Sequence, residues 1–70
     1  MNLFARYPTL KRVIVNTKTD KAFRGVLWQQ RGGYLVLREC ELLKPGGAAT
    51  AIAGEVIIDA ANVDFMVVLT

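Results

Sequence analysis

Seventy residues, 53% of them hydrophobic, make one domain whose own core is marginal. A single cysteine and no histidine exclude an internal disulfide and a structural zinc site, the usual supports of so small a fold, and leave self-association. The net charge of +3 is uneven, because nine bases against Asp20, Glu39 and Glu41 set residues 1–45 at +6, while Glu55, Asp59 and Asp64 set residues 46–70 at −3.

Leu3 to Tyr7 can form one or two helical turns that stop near Pro8, since the residue before a proline is pushed out of the helical region. The rest reads as strand. Arg12 to Asn16 is a short β-branched run, and Thr17-Lys18-Thr19-Asp20 is a polar turn. Lys21 to Gln29 is a second strand, with Phe23, Gly25 and Leu27 on one face and Arg24, Val26 and Trp28 on the other. Gly25 in mid-strand marks a sharp bend or a close backbone approach. Gln30-Arg31-Gly32-Gly33 is a turn, and Tyr34 to Leu43 is a third strand. Lys44-Pro45-Gly46-Gly47 breaks it, and an alanine-rich loop runs to about Gly54. Glu55 to Asp59 is a fourth strand, Ala60-Ala61-Asn62 a tight connection, and Val63 to Leu69 the fifth. Five short strands in this length imply a strongly bent antiparallel sheet rolled into a small barrel.

The last strand carries the functional signal. Val63, Phe65, Val67 and Leu69 alternate with Met66 and Val68, and only Asp64 is charged. A strand apolar on both faces is normally buried on both. The fourth strand is similar, with Val56 and Ile58 opposed by Ile57. Monomers blunt exposed strand edges with lysine or proline, and neither residue occurs after Pro45. These edges are therefore expected to meet another subunit. Head-to-tail pairing closes into a ring where the rotation permits.

Val13-x-Val15, Phe23-Arg24-Gly25-Val26-Leu27 and Leu35-Val36-Leu37-Arg38-Glu39-Cys40-Glu41 resemble the first signature of Sm and Sm-like proteins. The run from Gly54 to Val63 resembles the second, in which two apolar residues lead into a turn ending in Asn and an aliphatic. The resemblance implies a five-stranded barrel whose fourth and fifth strands pair with neighbours in a ring. It implies less for RNA. In the family, the turn before the third strand carries an Asp, then a stacking side chain followed by Asn. Here Tyr34 stands at the stacking position, and Leu35 takes the place of that Asn. The family's Arg-Gly or Lys-Gly turn is Asp59-Ala60 here. Only Tyr34 and Asn62 carry over. The run Phe23 to Gly32, with Gly54-Glu55-Val56 and Asn62-Val63-Asp64-Phe65, is also similar to short proteins of actinobacterial bacteriophages. That similarity implies a virion component.

The expected fold is thus all-β, a five-stranded Sm-like barrel with a short N-terminal helical turn, in a single domain over residues 1–70. The expected contact residues are Val56, Ile57, Ile58, Phe65, Met66, Val67 and Val68. Trp28 joins them, either as a contact hot spot beside Arg24 or packed under the N-terminal turn. Candidate nucleic-acid contacts are Arg6, Lys11 and Arg12 near the start, with Arg31, Tyr34 and Asn62. No catalytic constellation, metal site or cofactor motif is present, because Cys40 has no histidine to activate it and Gly32-Gly33 leads into no helix. The expectation is a non-enzymatic structural or assembly protein of a phage particle, partnered by itself or by larger phage proteins. The alternative is an RNA-binding ring. No apolar run approaches the ~20 residues of a membrane span, and the start lacks the layout of a secretory signal. A virion or host-cytoplasmic location is expected.

Overall fold

The computed structural model describes residues 7–70. The expected helical turn from Leu3 lies almost wholly outside the described residues, as does Arg6. Within them the chain is antiparallel sheet: β1 (Lys11–Thr17), β2 (Ala22–Arg31), β3 (Tyr34–Leu43), β4 (Ala49–Ala51), β5 (Val56–Asp59) and β6 (Val63–Val68). A 3-10 turn, Ala60–Asn62, joins β5 to β6. Among the described residues no helix is long and apolar enough to cross a membrane.

The strand order is β4-β3-β2-β1-β6, with β5 also on β3. β4 is the departure from the expected five strands, since it falls in the stretch read as an alanine-rich loop. Alanine is a poor strand former, but the Lys44–Gly47 turn folds this segment back on β3. There Leu43 pairs with Ala49 and Glu41 with Ala51. β5 continues along β3, from Leu37–Val56 to Tyr34–Asp59, one residue out of step with β4. The two are halves of one interrupted strand, broken near Gly54, which has φ 85°. β6 pairs with β1 alone among the described strands.

The inner face is built by period-two alternation. Val13 and Val15 on β1, Leu27 on β2, Leu35, Leu37 and Cys40 on β3 and Ile58 on β5 form the buried core, with Tyr7, Phe23, Val56, Val63 and Met66 packed against it. Thr17 is the one buried polar residue among those described. Its hydroxyl lies 3.0 Å from that of Thr19, donates to the Lys21 carbonyl at 3.1 Å and accepts from the Lys21 N–H at 3.1 Å. The turn thereby closes on a satisfied group.

Gly25 is where the sheet bends. A Cβ placed there would lie 2.9 Å from the Arg38 carbonyl oxygen and 3.1 Å from the Cys40 Cα. Only glycine lets β2 approach β3 this closely. The register between them shifts twice, around Gly25 and around Trp28. Such bulges bend a strand and raise its twist. In the first, Glu39 takes up the extra residue at φ 51°.

A third shift lies between β1 and β6, where Asn16 faces Phe65 and Thr17 faces Val63. This corrects the face assignment of the last strand. Asp64 is the bulged residue, so Val63 turns inward with Met66, while Phe65 and Val67 point outward.

Candidate functional site

The candidate site is a pair of sheet edges. β6 is hydrogen-bonded only to β1, and β5 only to β3, so each has a second side with no strand on it among the described residues. Five of the eight exposed large apolar residues described lie on or beside these edges, the others being Leu10, Trp28 and Tyr34: Ile57 is 62% exposed on β5, and Phe65, Val67 and Val68 are 54%, 42% and 47% exposed on β6. Leu69 extends the stripe, its N–H donating to the Arg12 carbonyl at 2.8 Å.

The eight expected contact residues divide. Ile57, Phe65, Val67 and Val68 present side chains to solvent. Ile58 is buried in the core, and Val56 and Met66 pack against it. Their side chains are held inside their own chain, because alternation turns every second residue of an edge strand inward. They contribute backbone to the edges and not side chains. Val68 faces Val13 across the ladder, at the inner rim of the barrel.

Trp28 stands apart from both edges. Its neighbour is Arg38, whose guanidinium lies 4.1 Å from the ring centroid, and not Arg24. Arg38 Nε donates to Glu55 Oε2 at 2.7 Å. Arg24 is held instead by Glu41, donating from Nε and Nη2 to the same carboxylate oxygen. Both ion pairs are exposed and contribute at most about 1 kcal/mol each. Their effect is to fix where the guanidinium groups point. This Trp28–Arg38–Glu55 group was not legible in the sequence, because the bulge at Trp28 sets which β3 residue it meets.

The candidate nucleic-acid contacts do not form one cluster. Arg31 and Tyr34 are cross-strand partners at the β2–β3 hairpin, and Tyr34 also faces Asp59 on β5. Tyr34 is not a core residue, being 37% exposed. The Ala60 N–H donates to the Gly33 carbonyl at 2.8 Å, which ties the hairpin to the 3-10 turn. Asp59 caps that turn, its carboxylate accepting from the Ala61 N–H at 2.9 Å. Asn62 faces elsewhere: its amide donates to the Thr19 hydroxyl at 3.3 Å. It lines an open cleft of about 240 Å³ with Thr19, Phe23 and Ile57. Lys11 and Arg12 sit opposite Leu27 and Val26. That is ~13 Å or more back along β2 from Arg31.

Burial pushes the Cys40 thiol up from the ordinary 9.0. A buried thiol held protonated is a poor nucleophile. No group of three or more Asp, Glu or Cys side chains able to hold a metal ion occurs among the described residues.

No family model matches the chain, and no curated protein matches it significantly. Among solved structures the fold matches a heptameric archaeal Sm protein with a TM-score of 0.75, over 87% of this chain and 88% of that one, at 22% sequence identity. The chain therefore has the Sm-like fold, an all-β antiparallel small barrel.

Proposed function

We propose that this chain is a non-enzymatic structural or assembly protein whose copies join edge to edge, β6 of one against β5 of the next, into a ring. The observation that carries this reading is the coincidence of the two unpaired edges with exposed apolar side chains, Ile57 on β5 and Phe65, Val67 and Val68 on β6. Burying what those four residues leave exposed contributes about 3–6 kcal/mol per contact before the entropy of association. That is comparable to the stability of a core this size. The archaeal Sm protein of the same fold is a heptamer, which supports a closed ring. Placement in a phage particle or its host's cytoplasm rests on the short runs around Phe23–Gly32 and Gly54–Phe65 alone.

The contact is heterologous, which gives it a distinctive test. Ile57→Lys blocks the β5 edge and leaves β6 intact, while Phe65→Lys does the reverse. Each variant alone is expected to run as a monomer. Mixed, they are expected to form a 1:1 heterodimer and nothing larger. Self-association of either variant, or no complex in the mixture, contradicts edge-to-edge assembly.

A second reading is an RNA-binding ring, favoured by the bond that draws Gly33 to Ala60 and sets Arg31 and Tyr34 beside the β5–β6 connection. The Asp59 carboxylate is turned into its own turn there, which lessens its repulsion of phosphate. This reading predicts single-stranded RNA binding that weakens steeply with salt. Absence of any complex at low salt removes it.

A further inference from the structure

We propose that the outer surface around Trp28, with Leu10 beside it and Arg12 and Arg31 at its two ends, docks an extended acidic segment of another protein. This surface lies off both unpaired edges, so it stays open whether or not copies of the chain join.

The exposed large apolar residues away from the edges are Leu10, Trp28 and Tyr34. Trp28 is the extra residue of the bulge between Leu27 and Gln29, and Tyr34 pairs with Arg31 at the end of the same two strands. The Leu10 N–H donates to the Leu27 carbonyl at 2.6 Å, which ties Leu10 to β2 next to Trp28. Leu10 has φ 61°, a left-handed conformation that a bulky residue rarely adopts. Strain held at an exposed apolar residue points to a contact made there. Val36, on β3 between the ends of this surface, is only 5% exposed, so the floor is closed and a partner rests on it without entering a pocket. Tryptophan, tyrosine and arginine are the residue types that dominate protein contacts, and this surface carries all three.

The charges select the partner. Val26 pairs with Arg12 on one side and Arg38 on the other, and Tyr34, the partner of Arg31, lies four residues along β3 from Arg38. Arg12 and Arg31 are therefore ~13 Å apart along the strands. Neither has an ion pair among the described residues, whereas Arg24 and Arg38 are held by Glu41 and Glu55. An extended peptide turns every second side chain to one face, so carboxylates four residues apart span the same ~13 Å and set the residue midway over Trp28. A nucleic acid fits less well. Arg38 already covers one face of the Trp28 ring, at 4.1 Å from its centroid, and Glu41 and Glu55 stand exposed where a phosphate at every step would meet them.

Trp28 is the only tryptophan, so its fluorescence reports on this surface directly. The full chain is titrated at low salt with the capped peptide Gly-Thr-Glu-Thr-Leu-Thr-Glu-Thr-Gly. Two control peptides carry Gln for both Glu, or the two Glu only two residues apart. The first peptide is expected to shift Trp28 emission to the blue, saturably and with a Kd below about 1 mM, and both controls to bind more weakly. Arg12→Gln and Arg31→Gln, each with an unchanged circular dichroism spectrum, are expected to weaken it roughly two- to five-fold. Four results overturn the proposal: no saturable shift; equal binding by either control; full affinity in both arginine variants; or displacement of the peptide by equimolar oligo(rU), which would make the surface a nucleic-acid site. A Trp28 emission that shifts to the blue as the protein alone is concentrated also overturns it, by placing the ring between copies. The mass of the complex reads the edge-to-edge contact separately.

Discussion

Replacing Gly25 by alanine tests the bend that shapes the barrel. A glycine-to-alanine change normally stabilises by ~0.4–1 kcal/mol, because the unfolded chain loses freedom. At Gly25 the sign is expected to reverse. The new Cβ would sit 2.9 Å from the Arg38 carbonyl oxygen, 3.1 Å from the Cys40 Cα and 3.3 Å from its Cβ. The first two are backbone atoms of β3, so no side chain can rotate aside, and the strands must part. Overpacking of this kind costs about 1–3 kcal/mol. A chain of this length holds roughly 3.5–10 kcal/mol in all, so the variant loses a large share and its Tm falls by about 5–20 °C. Gly33→Ala is the control, since a Cβ there meets nothing within 4 Å and the residue has no left-handed φ. Urea unfolding at one fixed protein concentration gives both values. A Gly25→Ala midpoint equal to or above that of the natural chain refutes the steric argument.

Other perturbations follow from the same packing. Thr17→Val removes a hydroxyl that both donates to and accepts from Lys21 in a buried turn, and is expected to cost about 1–3 kcal/mol in the same unfolding assay. Cys40 favours its neutral form when folded, so the native state holds its proton at a pH where the unfolded chain has lost it. Stability from this group is therefore full below about pH 9 and declines as pH rises toward the raised value, which a Cys40→Ala comparison across pH 7–10.5 isolates. The same thiol is expected to react with an aromatic disulfide reagent at pH 8 only as fast as the chain opens.

The strands of the barrel were legible in the sequence because their signals are local. β-branched runs, polar turns and glycine pairs place β1, β2, β3, β5 and β6 to within a few residues, and Gly25 marks the bend. What escaped was whatever depends on register. The bulge at Asp64 moves Val63 to the inner face, and no alternation of apolar residues reveals it. The bulge at Trp28 delivers that ring to Arg38 and not to Arg24. β4 formed from Ala49–Ala51, whose residues have little strand preference, because β3 was already there to pair with. The edge residues were legible as a group but not individually. Hydrophobicity marks Ile58 and Ile57 alike, and only the backbone decides that the first is buried and the second exposed. The candidate nucleic-acid contacts were scattered by the same rule, with Arg31 and Tyr34 brought together at the tip of a hairpin and Lys11 and Arg12 set beside the middle of β2.

The reading of this molecule turns on whether its apolar edges face protein. The mass of the unaltered chain in solution, followed by sedimentation from one to a hundred micromolar, addresses this most directly. A single discrete multiple of 7.7 kDa, holding together through that range, is the predicted result. A monomer throughout, with Ile57 and Phe65 left in water, would contradict it.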